Sequence, residues 1–425
     1  MKHSFISLLL TGSLLVACDG TDNEITPTPG PESPGEKEIS ATPVEIDLSD
    51  AEKSVVADCN VFALNLLSVV NEAKTAESDN ILLSPLSLSQ FLSMLANGVT
   101  GDSYKEIVET MGLQAYSPEA LNDYNRKMIA GLKKADEGVV LASANSIWSN
   151  KQIALKENFV ETGKAFYQAE CHSVDFDDPS TVANMNQWCS EQTNGKITKI
   201  LDQTNGSDLL YMVNALYFSA KWKDEFDKEN TKEGTFVQSN GKQQTVSYMN
   251  REVNENYFAN ELFATTTIMY GNRAYYMQLI LPAGDVSVRQ VLDKLKEPGY
   301  WAACKQKEKI HTVRLSLPRF KIDDNEIDVK DFLEKLGIKK IFKSSTDFSL
   351  MTDVNAAISM IKQKTYLSVD EKGSEAAAVT YGGWITSPGT PIPVAPAFVA
   401  NKPFLFTICE SSTDAILFMG EVNSL

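Results

Sequence analysis

Few side chains in this 425-residue chain could serve as a catalytic base or a metal ligand. Of its three histidines, His3 belongs to the extreme N-terminus, which leaves His172 and His311. His172 sits in AECHSVDF with no patterned nucleophile beside it, and the chain has no Gly-x-Ser-x-Gly elbow. A Ser-His or Cys-His hydrolase is therefore a poor reading. Cys59, Cys171, Cys189, Cys304 and Cys409 are scattered, without the paired spacing of a zinc site. They read as buried thiols, and neither metal nor cofactor is expected. A net charge of −17 with no basic run argues against nucleic-acid binding.

What remains is a stretch on which another protein's chemistry could be done. EKGSEAAAVTYGGWITSPGTPIPVAPAFVANKPF runs from Glu371 to Phe404. Its first half is made of small residues and its second half is rich in proline. Side chains in a strand alternate between faces. Ser374, Ala376, Ala378, Thr380, Gly382 and Trp384 would share one face; Glu375, Ala377, Val379, Tyr381, Gly383 and Ile385 would share the other. No proline occurs before Pro388, so every backbone N–H up to that point can join a ladder. Taken alone, the same residues also read as an alanine-rich helix capped by Ser374.

The elements around this stretch follow from pattern. Ser49-x-x-Glu52 forms a capping box ahead of Val55, Cys59, Phe62, Leu66 and Val70, which predicts a long amphipathic helix. Ser84-Pro85 predicts the start of a second. Strands are predicted over 276–281, around Val313, Leu315 and Leu317, and as an antiparallel pair, 404–408 with 415–419. Helices early and strands late predict an α+β fold.

Ahead of the folded part, Phe5 to Ala17 is apolar but too short to span a bilayer as a stable helix. It ends in Leu15-Val16-Ala17-Cys18, which resembles the lipobox of bacterial lipoproteins; a plain secretory cleavage site is the alternative. Residues 1–17 are read as a signal peptide. Residues 18–45 are read as a lipidated Cys18 and a disordered tether with Pro27, Pro29, Pro31, Pro34 and Pro43. Residues 46–425 are read as the folded domain.

Motifs spread through that domain resemble the serpin family. They are Asn80 to Ser87 with Gly98 and Gly101, Asn186 and Trp188 with Thr193 to Ile197, and Val213 to Phe218 with Trp222 and Phe226. Leu317 to Phe320, Leu336-Gly337, Asp347 to Ser349, Asp370 to Thr380, Asn401 to Phe404 and Phe418 to Gly420 follow in family order. The resemblance implies three β-sheets, eight or nine helices and an exposed reactive-centre loop. It also implies irreversible suicide-substrate inhibition of a serine protease: cleavage of the loop, formation of an acyl-enzyme, and insertion of the loop into the main sheet.

On that pattern Gly373, Ser374, Glu375, Ala376, Ala377, Ala378, Val379 and Thr380 are the loop hinge. Trp222 belongs at the top of the opening sheet, the breach. Ser84, Ser87 and Asn214 belong to the hydrogen-bonded shutter beneath it, with Gln363 where the family often has histidine. The family's spacing from Gly373 lands on Ser387. Because Pro388 follows, the reactive bond is placed at Thr386–Ser387, with Ile385–Thr386 second; counting from the far end would move it towards Val394 or Ala395. With no Lys or Arg between Gly373 and Ala400, elastase-like or subtilisin-like targets are favoured over trypsin-like ones. The expected partners are such a protease and a membrane, reached through the lipid anchor, and the chain is expected to be monomeric. The place would be the outer membrane or cell surface of a bacterium, on its periplasmic or extracellular face. The alternatives are a serpin-fold binding or chaperone-like protein that does not inhibit, and an inhibitor of papain-like cysteine proteases.

Overall fold

Ser49 opens the first helix, its Oγ accepting from the Glu52 N–H while the Glu52 carboxylate accepts from the Ser49 N–H at 2.8 Å. The structure, a computed structural model, describes residues 42–74, 79–374 and 395–425. Among these the helices are α1 (Asp50–Glu72), α2 (Pro85–Ala96), α3 (Gly101–Thr110), α4 (Pro118–Ala135), α5 (Glu157–Tyr167), α6 (Pro179–Gln192), α7 (Val288–Leu295), α8 (Tyr300–Lys307) and α9 (Lys330–Leu336). The first eight strands are β1 (Ile81–Leu83), β2 (Val140–Asn150), β3 (Glu170–Val174), β4 (Leu210–Lys221), β5 (Lys232–Val237), β6 (Gln243–Ala259), β7 (Phe263–Tyr270) and β8 (Tyr275–Pro282). The remaining seven are β9 (Lys309–Pro318), β10 (Phe320–Asp328), β11 (Ile358–Val369), β12 (Gly373–Ser374), β13 (Ala397–Val399), β14 (Phe404–Glu410) and β15 (Ile416–Val422).

The main sheet runs β10-β11-β4-β2-β3, with β12 added against β4. The second path runs β1-β15-β14-β8-β7-β6-β9-β13, with β5 on β6. The expected third sheet is joined to this one among the described residues. The cause is β6, 17 residues long, whose first part pairs with β5 and β9 and whose last three residues pair with β7.

Strand alternation decides what β4 packs on. Leu210, Met212, Leu216, Phe218 and Ala220 face the large core built with α1, α2 and the second sheet. Tyr211, Val213 and Ala215 face a smaller cluster with Trp188 and Cys189 of α6. Helix α2 is buried along nearly its whole length, starting at the Ser84 cap, and so sits at the centre of the large core.

Residues ahead of position 46 also touch the body. Val44 N–H donates to the Ala135 carbonyl at 3.1 Å and Asn272 Nδ2 to the Thr42 carbonyl at 3.3 Å. Ile46 is buried against Gly131, where a Cβ would lie 2.8 Å from its side chain. Next to Asn272, Gly271 N–H donates to the carbonyl of Lys221, the last residue of β4. The described chain therefore starts at the same end of β4 as the hinge.

Candidate functional site

The pairing of β4 changes partway along the strand. From Leu210 to Tyr217 it runs parallel to β11, ending at the pair Tyr217–Tyr366. Beyond that point the chain leaves β11, turns through Asp370–Lys372, and comes back as β12. Gly373 pairs with Lys221 and Ser374 with Ala220, antiparallel. The turn is tight, with the Asp370 N–H donating to the Gly373 carbonyl at 3.0 Å, so β12 lies beside the strand it has just left. Position 373 requires glycine: its φ is +155°, and a Cβ would stand 2.1 Å from the Ala220 carbonyl oxygen.

Trp222 holds this turn to the end of β4. Its Nε1 donates to the Asp370 carbonyl at 2.8 Å, and its backbone N–H donates to the Lys372 carbonyl at 2.8 Å. Its ring stacks on Tyr270 at 4.3 Å between centroids. The Tyr270 hydroxyl in turn lies 2.7 Å from Ser374 Oγ, both fully buried. Burial pushes that phenol far above its usual range, so it stays neutral and bonds Ser374 as a hydroxyl.

Glu371, at the tip of the turn, is buried to 2 % exposure and is bonded by the guanidinium of Arg319 through Nε at 2.8 and 3.0 Å and through a second nitrogen. Thr231 Oγ1 adds a bond at 2.6 Å. Burial pushes the carboxyl up, but the bonds from Arg319 and Thr231 outweigh it and hold the group below the ordinary carboxylate range. The sequence reading missed Arg319, Thr231 and Tyr270 as members of the site. Arg319 lay inside a quoted motif, yet nothing local pairs it with a carboxylate 52 positions away.

Lower down, where β4 and β11 are still zipped, four residues named from the sequence meet. The Gln363 side chain accepts from the Ser84 N–H at 2.8 Å and donates to the Ser84 carbonyl at 2.9 Å and to Asn214 Oδ1 at 3.3 Å. Ser84 Oγ donates to the Leu417 carbonyl at 2.8 Å and also caps α2, accepting from Ser87 N–H. Ser87 Oγ lies 3.1 Å from Ser143 Oγ, and Asn214 Nδ2 donates to Asn145 Oδ1 at 2.9 Å. The network is buried and contains no titrating side chain. An amide suits the central place because it donates and accepts at once.

Glu375, Ala376, Ala377, Ala378, Val379, Thr380, Ile385, Thr386, Ser387 and Val394 lie outside the described residues, as does Cys18. On the far side, Ala395 and Pro396 lead into β13, which pairs parallel with β9. Among the described residues no group of three or more His, Cys, Asp or Glu side chains could hold a metal ion. Cys189, Cys304 and Cys409 are buried and Cys59 and Cys171 half-buried, all as free thiols. Burial pushes Cys59 and Cys189 up to about 12, which leaves them unreactive as nucleophiles.

The site is thus a main sheet in which β4 hands over from parallel β11 to an antiparallel two-residue strand, β12, held by a tight turn. The family model for serpins, serine protease inhibitors, matches residues 57–425. The chain belongs to the serpin family. It is 30 % identical to human serpin I2 over 378 residues, covering 85 % of this chain and 90 % of that protein. It is 29 % identical to serpin B6 of Pongo abelii, covering 87 % and 99 %. Among solved structures, the native state of the thermophilic serpin tengpin superimposes with a TM-score of 0.80 at 32 % identity, covering 90 % and 96 %. Human thyroxine-binding globulin gives 0.78 at 25 %, covering 88 % and 98 %.

Proposed function

We propose that this chain is an irreversible suicide-substrate inhibitor of serine proteases, with elastase-like or subtilisin-like targets, held at a bacterial membrane through a lipid on Cys18. Serpins are in general protease inhibitors rather than catalysts, and the finer reading rests on one observation. The hinge has already begun a strand against β4, with Ser374 buried on the core side.

Continued residue for residue, that register sets Ala376 against Phe218, Ala378 against Leu216, Thr380 against Asn214 and Trp384 against Leu210, the first residue of β4. Alanines thus meet the large side chains, and a hydroxyl meets the shutter amides. The bond Thr386–Ser387 falls just past the end of the strand. Such an insertion requires β11 to leave β4 from Tyr366 downward. About a dozen new ladder bonds at ~1 kcal/mol each give on the order of 10 kcal/mol, comparable with the stability of a whole domain.

The chemistry belongs to the protease. Its serine oxygen attacks the Thr386 carbonyl carbon, the C–N bond to Ser387 breaks, and the protease histidine passes the serine's proton to the departing amine. Residue 386 remains as an ester on the enzyme. Insertion then carries that enzyme away before water completes hydrolysis.

The test is incubation with pancreatic elastase and with subtilisin, followed by a denaturing gel and mass spectrometry of the released peptide. A denaturation-resistant adduct and a peptide beginning at Ser387 are expected. Clean cleavage without adduct overturns inhibition and leaves a binding module. The anchor is tested separately: in cells fed labelled palmitate the wild type takes up label and Cys18→Ala does not; label in neither sinks the anchor.

A further inference from the structure

The face of the sheet formed by β5, β6, β9 and β13 that is turned to solvent carries a groove of about 760 Å³. Its floor is short and polar, made of Gly234, Asn250, Ser316 and Ala397. Ser316 Oγ donates to Asn250 Oδ1 at 2.7 Å, and Asn250 Nδ2 donates to the Asn230 carbonyl at 2.9 Å, which fixes the floor. Gly234 is demanded by packing, since a Cβ there would meet the Tyr248 ring at 2.7 Å.

Each end of the groove abuts one limb of the loop. At one end Lys232 follows Thr231, which is bonded to Glu371 in the hinge turn. At the other, Arg314 N–H donates to the Pro396 carbonyl at 2.9 Å and its Nε to the Ala395 carbonyl at 3.3 Å, just before β13. On β13 itself Phe398 is buried, whereas Ala397 and Val399 (40 % exposed) face out.

We propose that this groove is a second contact surface for the target protease, occupied by one of its surface loops while its active site holds the reactive bond. The inference rests on the inhibitor reading and deepens it. Eight residue steps lead from Ser387 to Ala395, so a protease on that bond is tethered within about 25–30 Å of the groove. A protease domain of roughly 230 residues is about 45 Å across, larger than that reach, so its surface is brought to this face. The lining sets Lys232, Arg251 and Arg314 against Glu233 and Glu252, with Gly234, Asn250, Ser316 and Ala397 uncharged between them. The contact is therefore mainly one of shape and hydrogen bonds, with a small excess of positive charge.

The experiment compares the wild type with Ala397→Arg and Val399→Arg, which fill the groove from exposed positions. Trapping rate constants are measured with pancreatic elastase and with subtilisin. Controls are the number of inhibitors consumed per enzyme, the melting temperature of the uncut variants, and each protease's cleavage of a peptide spanning residues 380–392. Expected is a fall of about tenfold in trapping rate with at least one enzyme, with the controls unchanged. Rates within about twofold of the wild type for both enzymes overturn the surface and leave the inhibitor reading intact. If the wild type traps neither enzyme, the inhibitor reading fails, and the surface with it.

Discussion

Glu371 carries a buried charge in the hinge turn, beside the Asp370 carboxylate that accepts from the Lys372 and Gly373 N–H groups. The Glu371 carboxyl titrates below the ordinary range in the folded chain, so its contribution is complete above that range and is lost as pH falls through the depressed value. Arg319→Ala leaves a buried carboxylate with only Thr231 and backbone partners and is expected to cost about 1–3 kcal/mol, read as a lower melting temperature of the uncut protein. Glu371→Gln removes the acid-dependent part, so mutant and wild-type stabilities converge as the solution is acidified; a constant gap down to the lowest pH would contradict this. Gln363 makes the complementary case. The network around Ser84 and Asn214 holds no ionisable group, so it adds no titration of its own. Gln363→His puts a buried imidazole there without a counter-ion, and burial lowers its folded pKa below the unfolded value. The variant is stable at neutral pH and loses stability relative to wild type as pH falls below about 6.5. Denaturant melts at pH 5.5 and 7.5 would show it.

At the scale of elements, the critical feature is the handover on β4 from parallel β11 to antiparallel β12. Ser374 is small enough to lie fully buried beneath Tyr270. Ser374→Arg forces an unpaired charge into that site at a cost of several kcal/mol, so insertion is expected to stall and adduct to give way to cleaved inhibitor. A gel with unchanged adduct would refute it. The sequence announced α1 through its capping box and α2 through Ser84-Pro85, and it announced β8, β9, β14 and β15 through their apolar runs, because these signals are local. It could not announce the Tyr217–Tyr366 end of the ladder or the Tyr270–Ser374 contact, which join residues 149 and 104 positions apart. The same limit applies to β6: nothing in Gln243–Ala259 says that one strand will serve two neighbourhoods and merge two sheets. Motif order named Ser84, Ser87, Asn214, Trp222 and Gln363, while the partners Asn145, Ser143 and Leu417 emerged only from the fold.

For the whole molecule, the proposed mechanism requires the intact form to be less stable than the inserted one. Cleaving the loop with a protease that makes no adduct is expected to raise the melting temperature by about 20 °C or more, from the ~10 kcal/mol of new ladder. A cut protein melting with the intact one would leave no driving force. The position of the first described residues adds a directional consequence. Thr42 and Val44 are fastened to Asn272 and Ala135, one residue from the contact that props the end of β4 beside the hinge. The described chain thus starts at the end of β4 where β12 begins. The 12 residues of β4 span about 40 Å. On the proposed mechanism a captured enzyme is hauled along that length, away from the end at which the described chain starts.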